Sequence, residues 1–211
     1  MGIQTILFDL DGTLIDTNEL IKESFKYTFK QYGYEFTEEQ LLSFNGPPLR
    51  DTFNKIAPNL VDDMVQTYRE HNFLHHDEYV KLFPGVKETL ESLQKANIQL
   101  GIVSTKMRKG VEKGLSWTGL SSYFSTIITL DEVTHAKPHP EPVLMGMEAL
   151  HGKKETTLMV GDNSHDIEAG QRAGVATAAV AWSHKGEEFL NAYEPTYMLE
   201  KMSDLLQIVG V

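Results

Sequence analysis

The sequence contains no cysteine and no long apolar run, and each absence excludes a class of protein. Without cysteine, the chain has no disulfide, no thiolate metal site and no cysteine nucleophile. No apolar stretch approaches the ~20 residues of a membrane-spanning helix, and the start of the chain lacks the basic and apolar regions of a signal peptide. We therefore expect a soluble protein with a cytoplasmic location and no membrane partner.

Basic residues are also scarce. The chain has 19 lysines and arginines against 30 aspartates and glutamates, a net charge of −11, and no basic run. A surface of this charge repels polyanions, so we expect no nucleic-acid partner. The 211 residues are 41% hydrophobic, which is enough for a sizeable core in one domain, or in one domain with an insertion. We expect a monomer or a weak homo-oligomer.

Five short apolar runs, each bounded by turn residues, recur along the chain. Such runs are typical of strands buried on both faces, as in a parallel sheet covered by helices. Between the later runs, apolar residues recur three and four positions apart, as in Val143, Met147 and Leu150, which predicts helices. Alternating strands and helices predict a Rossmann-like, doubly wound α/β fold. The predicted strands are residues 3–8, 98–103, 126–130, 156–160 and 175–181.

The first interval between predicted strands is much longer than the others. About ninety residues separate Phe8 from Ile98, whereas a crossover connection needs roughly a dozen. The extra residues have the period of amphipathic helices. We therefore predict an α/β core domain made of residues 1–15 and 83–211, with an all-helical cap domain, residues 16–82, inserted after the first strand.

Polar side chains follow four of the predicted strands at their carboxyl ends. In a parallel sheet these ends meet at one edge, where ligands bind near the point at which the strand order reverses. We therefore expect these side chains to lie close together. The candidates are Asp9 and Asp11 after the first strand, Ser104, Thr105 and Lys106 after the second, Lys137 after the third, and Asp162 and Asp166 after the fourth.

Four carboxylates at one edge need a compensating positive charge, because like charges repel and lose hydration when they are buried. Oxygen ligands without cysteine favour Mg²⁺, and Lys137 adds a further positive charge. A metal, a lysine, hydroxyl groups and free backbone amides around a carboxylate are typical of a phosphoryl-transfer site. In such a site Asp9 can attack phosphorus to form an aspartyl phosphate, while Asp11 can act as general acid and then as general base.

These residues also form an ordered set of motifs. The set consists of DLDGTL (9–14), a strand-end Ser104, Lys137 in a KPxP context and GDNSHD (161–166). It resembles the four motifs of the haloacid dehalogenase-like hydrolase superfamily, in order and over the whole chain. The resemblance implies Mg²⁺ as cofactor, a small phosphorylated substrate, and Asp9 as the nucleophile.

The resemblance also implies roles for the remaining candidates. Asp11 would be the acid and base, and Lys137 would neutralise the nucleophile and the transferring phosphoryl group. The hydroxyl groups of Thr13 and Ser104 would position the phosphate, and Thr105 would add a further phosphate contact. The implied metal ligands are Asp9, Asp11 through its backbone carbonyl, Asp162 and, in support, Asp166.

The substrate would be selected by the helical cap. The cap and C-terminal segments resemble bacterial inorganic pyrophosphatases of this superfamily, including TNELI (17–21), GPPL (46–49) and residues 194–210. The resemblance implies pyrophosphate hydrolysis, with Arg50 of the Gly-Pro-Pro loop placed to bind a second phosphate. The alternatives are a phosphoglycolate phosphatase, a sugar-phosphate phosphatase or mutase, and a non-catalytic regulatory or binding protein of the same fold.

Three histidines receive no definite role. His75 and His76 are adjacent in the cap, and adjacent residues of a helix do not face one ion. We therefore predict a solvated helix end there, with a substrate contact as the alternative. His139 stands two residues after Lys137, at a position where the pyrophosphatases more often have aspartate.

Overall fold

The structure is a computed structural model that describes residues 2–211. Within that range the chain divides into two compact units. An α/β unit comprises residues 2–15 together with Leu82–Val211, and a helical unit comprises Asp16–Lys81. No helix in the described range is both long enough and apolar enough to cross a membrane.

The α/β unit contains one six-stranded parallel sheet flanked by helices. Its strands are β1 (Thr5–Phe8), β4 (Gln99–Val103), β5 (Thr126–Ile128), β6 (Thr157–Gly161), β7 (Ala176–Val180) and β8 (Tyr197–Leu199). Two further short strands, β2 (Ile15–Asp16) and β3 (Lys81–Leu82), form a separate two-stranded sheet. The helices of this unit are α5 (Val86–Lys95), α6 (Arg108–Thr118), α7 (Glu141–Ala149), α8 (Ser164–Ala173), α9 (Glu187–Asn191) and α10 (Asp204–Val209).

The predicted doubly wound α/β fold is confirmed. All five predicted apolar runs form strands, each within two residues of its predicted ends, and the sheet buries Leu7, Val103 and Met159 against Val143 and Ala169 of α7 and α8. The sequence analysis did not find the sixth strand, β8. This strand is three residues long and begins with the exposed Tyr197, so its apolar pattern is too short to recognise.

The strand order places the carboxyl end of β1 at the switch point of the sheet. The strand order is β5-β4-β1-β6-β7-β8. The chain therefore adds β4 and β5 on one side of β1 and then β6, β7 and β8 on the other side. Phe8 is level with Ile102 of β4 and with Val160 of β6. The residues that follow these three strands therefore emerge at the same height, which is where α/β sheets bind ligands.

The helical unit has its own core. It consists of α1 (Asn18–Gln31), α2 (Glu38–Ser43), α3 (Leu49–Ile56) and α4 (Val61–Tyr79). Phe25 and Phe29 of α1 stack with ring centroids 5.9 Å apart, and both rings pack against Phe53 of α3. The loop between α2 and α3 contains Pro47 and Pro48, because proline cannot continue a helix. Arg50, which the sequence analysis placed in this loop, lies in α3.

Candidate active site

Lys137 joins two aspartates at the carboxyl edge of the sheet. Its Nζ atom donates hydrogen bonds to Asp9 Oδ1 at 2.9 Å, to Asp166 Oδ1 at 2.6 Å and to the backbone oxygen of Val103 at 2.8 Å. All three charged side chains are buried. Asp9 continues β1, since its N–H donates to Val160 O at 2.8 Å. The candidates after the first, third and fourth predicted strands thus meet, although Asp9 and Lys137 are 128 residues apart.

Both oxygens of Asp166 are occupied. One accepts from Lys137, and the other accepts from the backbone N–H of Asn163 at 3.0 Å, which forms the capping box of α8. Among the described residues, no hydrogen-bond donor contacts the carboxylate of Asp162. The backbone oxygen of Asp162 accepts from Ser183 Oγ at 2.6 Å. Asp162 therefore has its carboxylate oxygens available to a ligand, whereas Asp166 is committed to holding Lys137.

Two glycines allow the carboxylates to approach the backbone. Gly12 has φ +81°, and a Cβ atom there would lie 2.3 Å from Asp162 Oδ2. A Cβ atom on Gly161 would lie 2.3 Å from the Asp166 side chain. Both distances are far below van der Waals contact, so a larger residue at either position would displace a carboxylate.

Burial dominates the electrostatics of this cluster. It raises the pKa of Asp9 to about 7, against the opposing effect of Lys137 and with a further rise from Asp166. Burial also raises the pKa of Asp162 well above its usual range, and the nearby Asp9 and Asp166 carboxylates raise it further. For Lys137, burial lowers the pKa, but attraction to Asp166 and Asp9 outweighs it and leaves the pKa raised. The single positive charge of Lys137 therefore does not fully balance the negative charge of these buried carboxylates.

The donor set fits a hard divalent cation. Asp9, Asp162 and Asp166 each place a carboxylate oxygen within 4.8 Å of the other two, although the oxygens of Asp166 already accept hydrogen bonds. The ligand atoms are all oxygens, which suits Mg²⁺ better than Zn²⁺ or copper. A bound cation would also lower the raised pKa values of Asp9 and Asp162, because it stabilises their ionised carboxylates. The residues present therefore fit the magnesium ion that the sequence analysis predicted.

Asp11 has a partner that the sequence analysis did not assign. Lys106 Nζ donates to Asp11 Oδ1 at 2.9 Å, and both side chains are mostly buried. Lys106 follows β4 directly after Ser104 and Thr105, so its place at the strand end was a usable signal. Its partner was not predictable, because the two residues are 95 positions apart.

The predicted phosphate-positioning residues occupy the same strand ends. Ser104 is buried and its Oγ accepts from the backbone N–H of Lys106 at 3.2 Å, while Thr105 lies between them in the turn. Thr13 is fully buried, and its hydroxyl has no hydrogen-bond partner in the described part of the chain. Its backbone oxygen accepts from Trp182 Nε1 at 3.3 Å. An unpartnered buried hydroxyl in the turn that follows Asp11 suits an anionic ligand.

A comparison with known families decides the classification. The family model of the haloacid dehalogenase-like hydrolases matches residues 6–180, which include all four motifs. The chain belongs to this family. It is an enzyme, a phosphohydrolase of the haloacid dehalogenase-like type, as the motifs predicted.

Similar proteins cover the chain from end to end. The pyrophosphatase PpaX of Oceanobacillus iheyensis is 61% identical over 210 residues, which is 100% of this chain and 98% of that protein. The pyrophosphatase PpaX of Anoxybacillus flavithermus is 56% identical over 212 residues, covering 100% and 99% of the two chains. A crystal structure from Bacteroides fragilis, provisionally assigned as a haloacid dehalogenase-like hydrolase, has 27% identity and a TM-score of 0.90 over 96% of this chain and 99% of that one.

The predicted cap residues lie in the helical unit. Arg50, the second residue of α3, is exposed and its Nη1 lies 2.7 Å from Asp62 Oδ1 at the start of α4. His75 contacts Glu78 Oε2 at 3.1 Å through Nδ1. The prediction of a solvated helix end is wrong for His76, which is 1% exposed and contacts Asp77 Oδ1 at 2.8 Å. The sequence analysis missed this because His76 faces the helix packing while its neighbours in sequence face outward.

Proposed function

We propose that this chain hydrolyses inorganic pyrophosphate to phosphate, with Mg²⁺ as cofactor and an aspartyl phosphate as intermediate. The observation that carries the substrate assignment is the full-length identity of 61% and 56% to two proteins named pyrophosphatase. The chemistry is supported by the contacts among Asp9, Lys137 and Asp166 at the switch point of the sheet. We also propose that the helical unit serves as the cap that selects the substrate.

Asp9, Asp162 and the backbone carbonyl of Asp11 would hold the metal, and Asp166 would support it by orienting Lys137. When bound there, Mg²⁺ would neutralise phosphate charge and polarise the phosphorus–oxygen bonds. This division of roles is supported by the hydrogen bonds of the two carboxylates. The Asp166 carboxylate accepts two hydrogen bonds, from Lys137 and from the backbone N–H of Asn163, whereas the Asp162 carboxylate accepts none from the described residues.

In the first step, a carboxylate oxygen of Asp9 forms a bond to one phosphorus atom of pyrophosphate. The bond from that phosphorus to the bridging oxygen breaks, and its electron pair stays with the departing phosphate. Asp11 donates a proton to the departing oxygen, while the Lys137 ammonium stabilises the negative charge on the transferring group. The buried hydroxyls of Thr13 and Ser104 would donate hydrogen bonds to that group.

In the second step, Asp11 removes a proton from a water molecule, and the water oxygen forms a bond to phosphorus. The bond between phosphorus and the Asp9 oxygen breaks, which releases phosphate and restores the Asp9 carboxylate. Lys106, which donates to Asp11, would hold that side chain in place between the two proton transfers. The side chain that supplied a proton in the first step thus recovers one in the second.

Asp11→Asn tests the acid and base role. We expect a loss of about 10²–10⁴-fold in kcat for pyrophosphate, because a poor leaving group needs the proton. The rate of the first step should fall less for an aryl phosphate such as p-nitrophenyl phosphate, because its leaving group needs no proton. The measurement is the burst of nitrophenol and the steady-state kcat for both substrates. Equal losses in the first step for both leaving groups would remove Asp11 from the proton-transfer role.

Chelation tests the metal requirement. Exhaustive treatment with EDTA should abolish turnover, and Mg²⁺ should restore it, whereas Ca²⁺ should inhibit because it takes more ligands at longer distances. Asp162→Ala should raise the Mg²⁺ concentration needed for half-maximal activity more than Asp166→Ala does. Full activity after chelation, or a larger metal effect in Asp166→Ala, would contradict the assigned ligands.

A comparison of substrates tests the assignment of pyrophosphate. We expect kcat/KM for pyrophosphate to exceed that for 2-phosphoglycolate and for sugar phosphates in the native protein. Arg50→Ala should lower the value for pyrophosphate, because the planar guanidinium can bind a second phosphate with two hydrogen bonds. Lys55→Ala removes another exposed cation of α3 and serves as the matched control.

Two outcomes of that comparison would be decisive. If phosphoglycolate is preferred by tenfold or more, the substrate assignment is wrong while the chemical mechanism stands. If Arg50→Ala and Lys55→Ala behave like the native protein toward every substrate, Arg50 does not contact the leaving group.

A further inference from the structure

A second group of possible metal ligands lies on the loop that carries Lys137 and at the start of α7. His135, His139 and Glu141 each offer one ligand atom, and these atoms all lie within 4.8 Å of one another. His135 Nδ1 is 3.0 Å from Glu141 Oε2, and His139 Nδ1 is 3.9 Å from the same oxygen. This donor set differs in kind from the carboxylate cluster at the sheet edge, because two of its three members are imidazoles.

The spacing of these atoms suits a small coordination sphere. Zinc binds imidazole nitrogen and carboxylate oxygen at about 2.0–2.1 Å, which places two tetrahedral ligands about 3.4 Å apart. The observed separations of 3.0 and 3.9 Å lie on either side of that value. The rings of His135 and His139 are also neighbours, with centroids 4.5 Å apart and planes inclined by 32°. Only small side-chain rotations would bring all three donors onto one ion.

The carboxylate of this group is held in place by backbone amides. Glu141 Oε1 accepts from the N–H of Thr134 at 2.7 Å, and Oε2 accepts from the N–H of His135 at 3.0 Å. These hydrogen bonds lower the pKa of Glu141, so its side chain stays ionised at neutral pH. Fixed outer hydrogen bonds of this kind orient a ligand before the metal arrives.

The hydrogen bond at His139 also suits a metal ligand. His139 Nδ1 accepts from the backbone N–H of Glu141 at 3.2 Å, so that nitrogen carries a lone pair rather than a proton. A metal would take this lone pair in place of a long hydrogen bond. His135 Nδ1, which lies 3.0 Å from Glu141 Oε2, would bind the ion as a neutral imidazole with its ring proton on Nε2.

We propose that His135, His139 and Glu141 form a site for a borderline transition-metal cation such as Zn²⁺, separate from the Mg²⁺ site of the proposed reaction. Imidazole ligands favour such ions over Mg²⁺. The His135 and His139 side chains are 61% and 50% exposed, so water completes the coordination. Because the two histidines flank Lys137 in sequence, a bound ion ties together both ends of the segment that presents this lysine to Asp9.

Zinc binding to the native chain tests this site directly. Isothermal titration calorimetry with Zn²⁺, in a large excess of Mg²⁺ to occupy the carboxylate cluster, should show one Zn²⁺ per chain. The imidazole nitrogen resonances of His135 and His139 should both shift in NMR spectra of the ¹⁵N-labelled protein. His135→Gln and His139→Gln should each weaken binding at least tenfold. His151→Gln, which removes another exposed histidine of the α/β unit, should bind Zn²⁺ like the native protein.

The His135→Gln/His139→Gln double variant, which lacks both imidazole ligands, shows whether Zn²⁺ binding needs this site. All substituted side chains are exposed, and circular dichroism without metal checks that the double variant is folded. Zn²⁺ should raise the Tm of the native protein and leave that of the double variant unchanged. Equal Zn²⁺ affinity in the double variant, or Zn²⁺ binding that only Asp162→Ala abolishes, would overturn the proposal. None of these measurements uses turnover, so their result does not depend on whether the proposed function is correct.

Discussion

Asp9→Asn should reduce kcat for pyrophosphate at least about 10³-fold while the protein stays folded. The amide has nearly the shape of the carboxylate, and its oxygen can still accept the hydrogen bond that Lys137 Nζ makes at 2.9 Å. It lacks the negative charge with which Asp9 attacks phosphorus. The measurements are kcat, the melting temperature, and the mass of the rapidly quenched enzyme, which should show a phosphoryl adduct in the native chain alone.

Asp204→Asn is the matched control for Asp9→Asn. Asp204 begins α10 and accepts hydrogen bonds from the backbone amides of Glu200 and Lys201, which asparagine can also accept. Its substitution removes one negative charge from the same unit and should leave kcat unchanged. A value above a few per cent of native kcat in Asp9→Asn would contradict the covalent mechanism.

Lys137→Met should abolish activity and also destabilise the fold. The ammonium is 3% exposed and joins the buried carboxylates of Asp9 and Asp166. Removing it leaves those carboxylates without a cation, which costs about 3–5 kcal/mol for a buried pair that loses one partner. Urea unfolding in EDTA at pH 7 measures this loss in the free energy of unfolding.

The loss in Lys137→Met should depend on pH. Burial already raises the pKa of Asp9 to about 7 in the folded chain, and removing the lysine raises it further. A carboxyl whose pKa is higher in the folded than in the unfolded state destabilises the fold above its unfolded pKa of about 4, and this cost disappears as the pH falls toward that value. The difference in stability from the native protein should therefore be largest near neutral pH and smaller at pH 5.

A double variant separates charge from lost packing. Lys137→Met/Asp166→Asn removes one of the two facing carboxylates and should recover part of the stability lost in Lys137→Met. Lys106→Met, which breaks the more accessible pair with Asp11, should cost less than Lys137→Met. A Lys137→Met protein as stable as the native chain at pH 7 would show that this lysine does not compensate the buried carboxylates.

The sequence by itself determined the fold class and the edge of the sheet at which Asp9 and Asp162 emerge. Buried parallel strands need apolar side chains on both faces, so β1, β4 and β6 are readable as short apolar runs. The polar residues that follow such runs, among them Asp9 and Asp162, must emerge at the carboxyl ends of the strands. That inference needs only local pattern and the geometry of parallel sheets, which is why it succeeded.

Only the tertiary structure decided which of these side chains touch and how each is balanced. Lys137 contacts Asp9 across 128 residues, Lys106 contacts Asp11 across 95, and no local pattern encodes either distance. Burial is likewise a property of the whole fold, and it raises the pKa of Asp9 far above that of an exposed aspartate. Pairing between distant strands brings these groups together, so their contacts and charges become readable only when the chain is folded.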